Sequence, residues 1–191
     1  MELPELLDAC LRGDELAWEA LVRRYQGRIL GLTTGYVGNG EDARDLAQEI
    51  FVKIYRHLSS CRGAESFEAW MLQVGRSTCL DHLRRRKVRP PAQDLPAEEL
   101  RDLADSAASG EERARMNARR RLVQRALSHL DVTHREILVL RDIEGLGFEE
   151  IAAVLQVPVG TAKSRSHRAR LALAEKIVEW THPDGSAKGA A

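Results

Sequence analysis

Residues 148–171 read Phe148-Glu-Glu-Ile-Ala-Ala-Val-Leu-Gln-Val-Pro-Val-Gly-Thr-Ala-Lys-Ser-Arg-Ser-His-Arg-Ala-Arg-Leu171. Few structures satisfy this pattern. Gly147 can cap a short helix whose first turn carries Glu149 and Glu150, where the helix dipole favours carboxylates. Ile151, Ala152 and Leu155 give that helix an apolar face, with a small residue where a second helix can cross closely. Gln156-Val157-Pro158 ends it, because the residue before a proline avoids the helical region, and Pro158 opens the next helix at little cost. There Val159, Ala162, Ser166, Ala169 and Leu173 recur at three and four and face inward. Lys163, Ser164, His167, Arg168 and Leu171 fall on the opposite side. The pattern predicts a helix-turn-helix whose second helix offers cations and hydrogen-bonding groups to a major groove.

The chain of 191 residues, with 5% aromatics and 30% charged residues, lacks strand-like alternation and predicts an all-α protein of two small domains. No stretch approaches the ~20 apolar residues of a membrane span. Glu2, Glu5 and Asp8 do not suit a signal peptide, so a cytoplasmic location is expected. Cys10, Cys61 and Cys79 show no CxxC pairing and suit a reducing compartment. His57 and Cys61 lie one helical turn apart without a second ligand pair, so no metal or other cofactor is expected.

Zero net charge conceals a division. Residues 1–89 hold 14 basic and 13 acidic side chains, residues 90–112 hold one and seven, and residues 113–191 hold 14 and nine. An acidic connector over 90–112, with prolines at 90, 91 and 96, thus joins two helical domains at 1–89 and 113–180. Residues 98–103 read as a helical turn within it, and residues 181–191 read as a disordered tail.

The first domain reads as four helices. One covers about Pro4 to Leu11. A longer one starts at Asp14 and buries Leu21, Tyr25, Ile29, Leu32 and Tyr36 before the break at 38–40. The next, about Glu41 to Leu58, buries Leu46, Ile50, Ile54 and Leu58 and shows Asp45, Gln48, Glu49 and Lys53. After a loop over 59–65, Ser66 caps a helix to about Lys87. It has Phe67, Met71, Val74 and Thr78 on one side and Gln73, Arg76, Ser77, Asp81 and Arg84 on the other. It ends in Arg84-Arg-Arg-Lys-Val-Arg89, and so many cations suggest a phosphate contact beyond dipole complementation. In the second domain, Ser109-Gly-Glu-Glu112 and Thr133-His-Arg-Glu136 read as capping boxes. Between them Met116, Val123, Leu127 and Leu130 form an apolar face.

Four stretches of the chain resemble the extracytoplasmic-function sigma factors, the minimal bacterial sigma factors, in order and spacing. They are Asp42-Ala-Arg-Asp-Leu-Ala-Gln-Glu-Ile-Phe-Val-Lys-Ile-Tyr55, Phe67-Glu-Ala-Trp-Met71, Asp81-His-Leu-Arg-Arg-Arg86 and Leu146-Gly-Phe-Glu-Glu-Ile-Ala152. Val157-Pro-Val-Gly-Thr-Ala-Lys-Ser-Arg165 and Arg168-Ala-Arg170 extend the resemblance to nearly the whole chain outside the connector and tail. The family usually carries asparagine where Ser77 stands, larger aliphatics at 162 and 166, and often glycine at 156.

The resemblance implies two partners, core RNA polymerase and promoter DNA, and commonly an anti-sigma factor. It implies polymerase docking through Asp45, Gln48, Glu49, Phe51 and Lys53. The −10 element would meet Arg62, Ser66, Gln73, Arg76, Ser77, Arg84 and Arg85, with Trp70 either a stacking surface or a core residue by its spacing. The −35 element would meet Thr161, Lys163, Ser164, Arg165, His167, Arg168 and Arg170. The connector would lie along the RNA exit path, its acidity imitating a phosphate chain.

A stand-alone helix-turn-helix regulator with an N-terminal sensing or dimerising domain is the other class to consider. The basic end of the first domain argues instead for two DNA-contacting domains. An enzyme is not expected: there is no glycine-rich phosphate loop, ligand cluster, or nucleophile with a base. Asp81 and His82, as neighbours on a helix, point in different directions.

Overall fold

The computed structural model describes residues 1–38, 40–88 and 110–181, and every regular element among them is helical. The N-terminal bundle holds α1 (Leu3–Leu11), α2 (Glu15–Val37), α3 (Gly40–His57), a 3-10 turn (Leu58–Ser60) and α4 (Ala64–Val88). The C-terminal bundle holds α5 (Gly110–His129), α6 (Val132–Leu138), a π turn (Val139–Ile143), α7 (Phe148–Leu155) and α8 (Val159–Thr181). The expected turn at 98–103, a capping Ser109 and most of the tail lie outside the described residues. α5 starts at Gly110, inside the stretch expected to be connector.

Asp14 caps α2, its carboxylate accepting from Leu16 N at 2.9 Å and Ala17 N at 3.1 Å. Gly38 ends α2 in the left-handed region at φ 81°. The expected core stripe of α2 is buried throughout, from Leu21 to Tyr36. So are Leu46, Ile50, Ile54 and Leu58 in α3, and Phe67, Met71 and Thr78 in α4.

Three local expectations are corrected. Ser66 is not a cap. It lies inside α4, which begins two residues earlier, and its hydroxyl donates to the Gly63 carbonyl at 3.1 Å. Thr133 is not a cap either. Asp131 holds that position, accepting from Thr133 N at 2.9 Å and His134 N at 3.0 Å. That frees Arg135 and Glu136 to be buried. Finally, on the apolar face of α5 Met116 and Val123 are exposed and only Leu127 and Leu130 are buried, because full burial among the described residues of this helix begins at Ala126.

The two bundles share an interface. α2 packs on α5, α6 and the π turn, and α4 meets α7. At Gly35 a Cβ would sit 2.6 Å from Val139 Cγ2, so only glycine admits this approach. The π turn forms as Glu144 N donates to Val139 O at 2.9 Å, one residue wider than an α-helix. This widening brings Glu144 against α2, where Arg28 Nε donates to it at 2.9 Å and 2% of its side chain is exposed. Buried Arg135 closes two helix ends at once. It donates to Tyr36 O at 2.6 Å at the end of α2, and to Leu127 O and Ser128 O at 2.9 and 2.6 Å at the end of α5. Cationic donors suit C-terminal carbonyls. Burial pushes its pKa below the usual guanidinium value.

Candidate nucleic-acid and polymerase interfaces

The helix-turn-helix is built from small local decisions. Gly147 N donates to the Glu150 carboxylate at 2.7 Å, holding the first turn of α7. Gln156 ends α7 in the left-handed region at φ 54°, a conformation that glycine adopts most readily. The Pro158 carbonyl accepts from Thr161 N at 2.9 Å and Ala162 N at 3.1 Å, so the turn passes directly into α8. Ala162, Ser166 and Ala169 are buried, as their spacing requires. Three small residues bring α8 close to α6 and α7. The Ser166 hydroxyl is buried without a hydrogen-bond partner.

This packing leaves Lys163, Ser164, His167 and Arg168 exposed on one face. Arg168 Nε reaches the Ser164 carbonyl at 3.4 Å, and Ser164 Oγ donates to Thr161 O at 3.0 Å. Thr161 and Arg165 are half-buried at its border. Arg170 is exposed but bound to Asp142, so it braces α8 against the preceding turn. Lys163 and Arg141 approach the Phe148 ring at 6.0 and 4.7 Å, tying the basic face to the start of α7.

On α4, Gln73, Ser77, Arg84 and Arg85 are exposed, with exposed Arg62 in the preceding loop. Arg84 pairs with Asp81 at 3.1 Å, while Arg85 approaches Glu49 at 3.8 Å. Trp70 is half-buried, packed on the core with its ring 6.0 Å from Phe67. Arg76 is half-buried and crosses to the other bundle. Its Nε donates to Glu136 at 2.5 Å, and the Tyr36 hydroxyl donates to the same carboxylate oxygen at 3.2 Å. Burial, aided by the Glu136 charge, drives the Tyr36 pKa well above the usual phenol value.

The α3 face divides in two. Asp45 and Gln48 point to solvent, whereas Lys53 turns toward α4, donating to Thr78 Oγ1 at 3.1 Å and pairing with Glu49 at 2.8 Å. The hydrogen bond from Lys53 holds the Glu49 carboxyl below its usual pKa. Phe51 lines a cleft of about 380 Å³ with Trp18, Val52, Tyr55, Cys10 and the acidic Asp14 and Glu15. Sequence reading named only Phe51 of this group, because α1 and the start of α2 reach α3 only through the tertiary fold. It also missed Arg28, Glu144, Arg135 and Glu136. Charged residues carry no mark of burial in a periodicity. Among the described residues, no three His, Cys, Asp or Glu side chains gather as for a metal ion, and no helix is long and apolar enough to cross a membrane.

A bundle ending in a basic helix and a second bundle presenting a cationic helix-turn-helix define a two-part helical DNA-binding protein. Residues 21–89 match the family model for sigma-70 region 2, and residues 120–173 match that for sigma-70 region 4. The RNA polymerase sigma-H factor of Pseudomonas aeruginosa is 38% identical over 174 residues, 88% of this chain and 90% of that protein. The extracytoplasmic-function sigma-E factor of Escherichia coli is 36% identical over 177 residues, 90% of this chain and 92% of that protein. The chain belongs to the extracytoplasmic-function sigma factors of RNA polymerase. It is therefore an initiation factor and not an enzyme. The fold is shared with CnrH in its complex with the cytosolic domain of CnrY, at TM-score 0.66 and 24% identity over 91% of this chain and 95% of that one. It is also shared with the sigma factor RpoE bound to the anti-sigma factor NepR from Bartonella quintana, at TM-score 0.63 and 20% identity over 83% and 95%.

Proposed function

We propose that three separate surfaces divide the work of this sigma factor. The exposed part of α3, Asp45 and Gln48 with Glu49 and Phe51 beside it, docks on core polymerase; carboxylate and amide groups suit an arginine-rich partner. Lys53 supports this face by holding Glu49. The α4 stripe of Gln73, Arg76, Ser77, Arg84 and Arg85, with Arg62 and Ser66, takes the −10 strand. The α8 face of Lys163, Ser164, His167 and Arg168 reads the −35 element, with Thr161 and Arg165 at its edge and Arg170 as a brace. An anti-sigma factor is the expected regulator, as in the complex of RpoE with NepR, and the site of action is the cytoplasm.

The observation that carries this reading is the contrast between the α8 face and its surroundings. Its four exposed side chains engage no carboxylate among the described residues, while Arg170 next to them is neutralised by Asp142. An unpaired cationic face at a helix-turn-helix is what phosphate and base-edge contacts require. Arg76 has a second consequence. Its guanidinium is held by Glu136, so it reaches DNA only when the two bundles part.

The test is reconstitution with core polymerase on a genomic fragment library, sequencing the transcript starts. Asp45→Lys should lose polymerase in pull-downs. Arg168→Ala should keep polymerase and lose about 1–3 kcal/mol of −35 discrimination. The same defect from both substitutions would break the assignment. Nanomolar promoter binding without polymerase at physiological salt would favour the stand-alone regulator.

A further inference from the structure

Beyond its hold on Arg76, the contact between the two bundles has no role in the reading above. Its construction is specific. Gly31 and Gly35 sit one turn apart in α2, and glycine weakens a helix interior. The π turn fills the space that their missing side chains leave. A Cβ at Gly35 would lie 2.6 Å from Val139 Cγ2, and one at Gly31 would lie 3.6 Å from Ile143 Cγ2. Arg28 spans the seam, donating to Glu68 of α4 at 2.5 Å and to Glu144 of the π turn at 2.9 Å. Arg135 adds its bond to the Tyr36 carbonyl. Glu144 and Glu136, with 2% and 7% of their side chains exposed, meet their cations across this seam. Carboxylates so far from water need such partners, and here the partners are present only while the bundles touch.

This closed arrangement cannot be the promoter-bound one. By their positions the two elements lie about 25 base pairs apart, roughly 85 Å of duplex at about 3.4 Å for each pair. A compact chain of this length is about 40 Å across. The contact therefore belongs to a state in which the bundles do not engage both elements together. What it covers is unequal. α7 lies on α4, and Arg76 of the proposed −10 stripe is held by Glu136. Lys163, Ser164, His167 and Arg168 of α8 stay exposed, as do Asp45 and Gln48 of α3.

We infer that the free chain rests in this closed state and that the seam is a selective mask, withholding the −10 stripe while leaving the −35 face and the polymerase face open. The inference rests on the proposed assignment of the α3, α4 and α8 surfaces. It gives initiation an order: polymerase and the −35 element can engage the closed chain, and the −10 strand is taken only after the seam parts. A surface that is open for a fraction of the time binds with its affinity reduced by that fraction. The mask thus weakens −10 binding without altering the surface itself.

The experiment uses the full chain in a Cys61→Ser background, since Cys10 and Cys79 are buried. Gly31→Cys/Ile143→Cys puts two thiols within disulfide reach across the seam, a lock that dithiothreitol releases. Gly35→Ala opposes closure through its clash with Val139 while favouring α2 itself as a helix. Fluorescence anisotropy follows a single-stranded −10 oligonucleotide and a −35 duplex, pull-downs follow core polymerase, and small-angle scattering follows the radius of gyration. The oxidised lock should bind the −10 strand about tenfold or more weakly than the same chain reduced. It should give no transcript starts with core polymerase, yet keep its −35 and polymerase binding. Gly35→Ala should enlarge the radius of gyration and strengthen −10 binding alone. Equal −10 binding by the oxidised and reduced chains overturns the inference, as does full transcription by the locked chain. A wild-type radius equal to that of Gly35→Ala overturns the closed resting state, and a lock that also abolishes −35 binding overturns the selectivity. Arg84→Ala in the reduced chain tests the assignment separately. Weaker −10 binding there keeps the α4 surface whatever the lock does, whereas unchanged binding removes that surface and the inference with it.

Discussion

The pair of Arg76 and Glu136 lends itself to a quantitative test because it belongs to both the fold and the proposed DNA surface. The Glu136 side chain is 7% exposed and that of Arg76 29%, across the interface between the bundles. Breaking a fully buried pair costs about 3–5 kcal/mol, whereas an exposed pair contributes about 0.2–1. The partial exposure of Arg76 places the expected coupling between these, at about 2 kcal/mol. Arg76→Ala should cost about 2–3 kcal/mol, since the Glu136 carboxylate keeps only the Tyr36 hydroxyl as donor. Glu136→Gln should cost about 1–2 kcal/mol, because Arg76 can still turn to water. The double variant should lose about 2 kcal/mol less than the sum. Urea unfolding of the full chain, followed by circular dichroism, measures all four corners. A coupling below about 0.5 kcal/mol would show that solvent screens the pair and that the bundles are not held together there. Function gives a second readout of opposite sign. Glu136→Gln frees Arg76 and should strengthen binding of a single-stranded −10 oligonucleotide, while Arg76→Ala should weaken it. If Glu136→Gln destabilises the protein without strengthening that binding, Arg76 is a structural residue and not a −10 contact.

Further outcomes follow from individual groups. Ser166→Ala removes a buried hydroxyl with no partner and should stabilise the protein by about 1 kcal/mol, whereas Ser166→Leu should lose about 1–3 kcal/mol by overpacking against the close crossing; thermal melts decide both. Burial raises the Glu144 carboxyl pKa against the opposing pull of Arg28. The folded state thus takes up this proton more readily than the unfolded chain. The resulting stabilisation is full below the ordinary carboxylate value and is lost as pH rises through the raised folded one. Urea midpoints of wild type and Glu144→Gln across the mildly acidic range should differ in slope in that sense, and parallel curves would exclude it. Burial pushes the Cys79 thiol up to about 12 and also raises that of Cys10. With Cys61 half-buried, mass spectrometry after brief alkylation of the native protein should find label at Cys61 and not at Cys79.

The local layer of this protein is legible in its residues. Apolar spacing alone marks the buried faces of α2, α3, α4 and α8, since a helix that must bury one side repeats that side every three or four positions. Glycine at 38, proline at 158 and aspartate at 14 mark helix ends because each carries its own backbone or capping chemistry. The cationic face of α8 follows from the same periodicity, as the side that Ala162, Ser166 and Ala169 leave outside. Cap positions were less secure. Thr133 competes with Asp131, and the difference of two residues decides whether Arg135 and Glu136 face water or the interior. What the tertiary structure alone decided is which charges meet. Arg76 finds Glu136 across 60 residues and Arg28 finds Glu144 across 116. Neither pairing leaves a pattern in the chain, because an ion pair depends on where two bundles touch and not on spacing along one helix. For the same reason Lys53 and Arg170, which spacing places on outward faces, proved to be occupied by Thr78 with Glu49 and by Asp142. Periodicity names the surface of each helix; only packing between helices determines which part of that surface remains free for a partner.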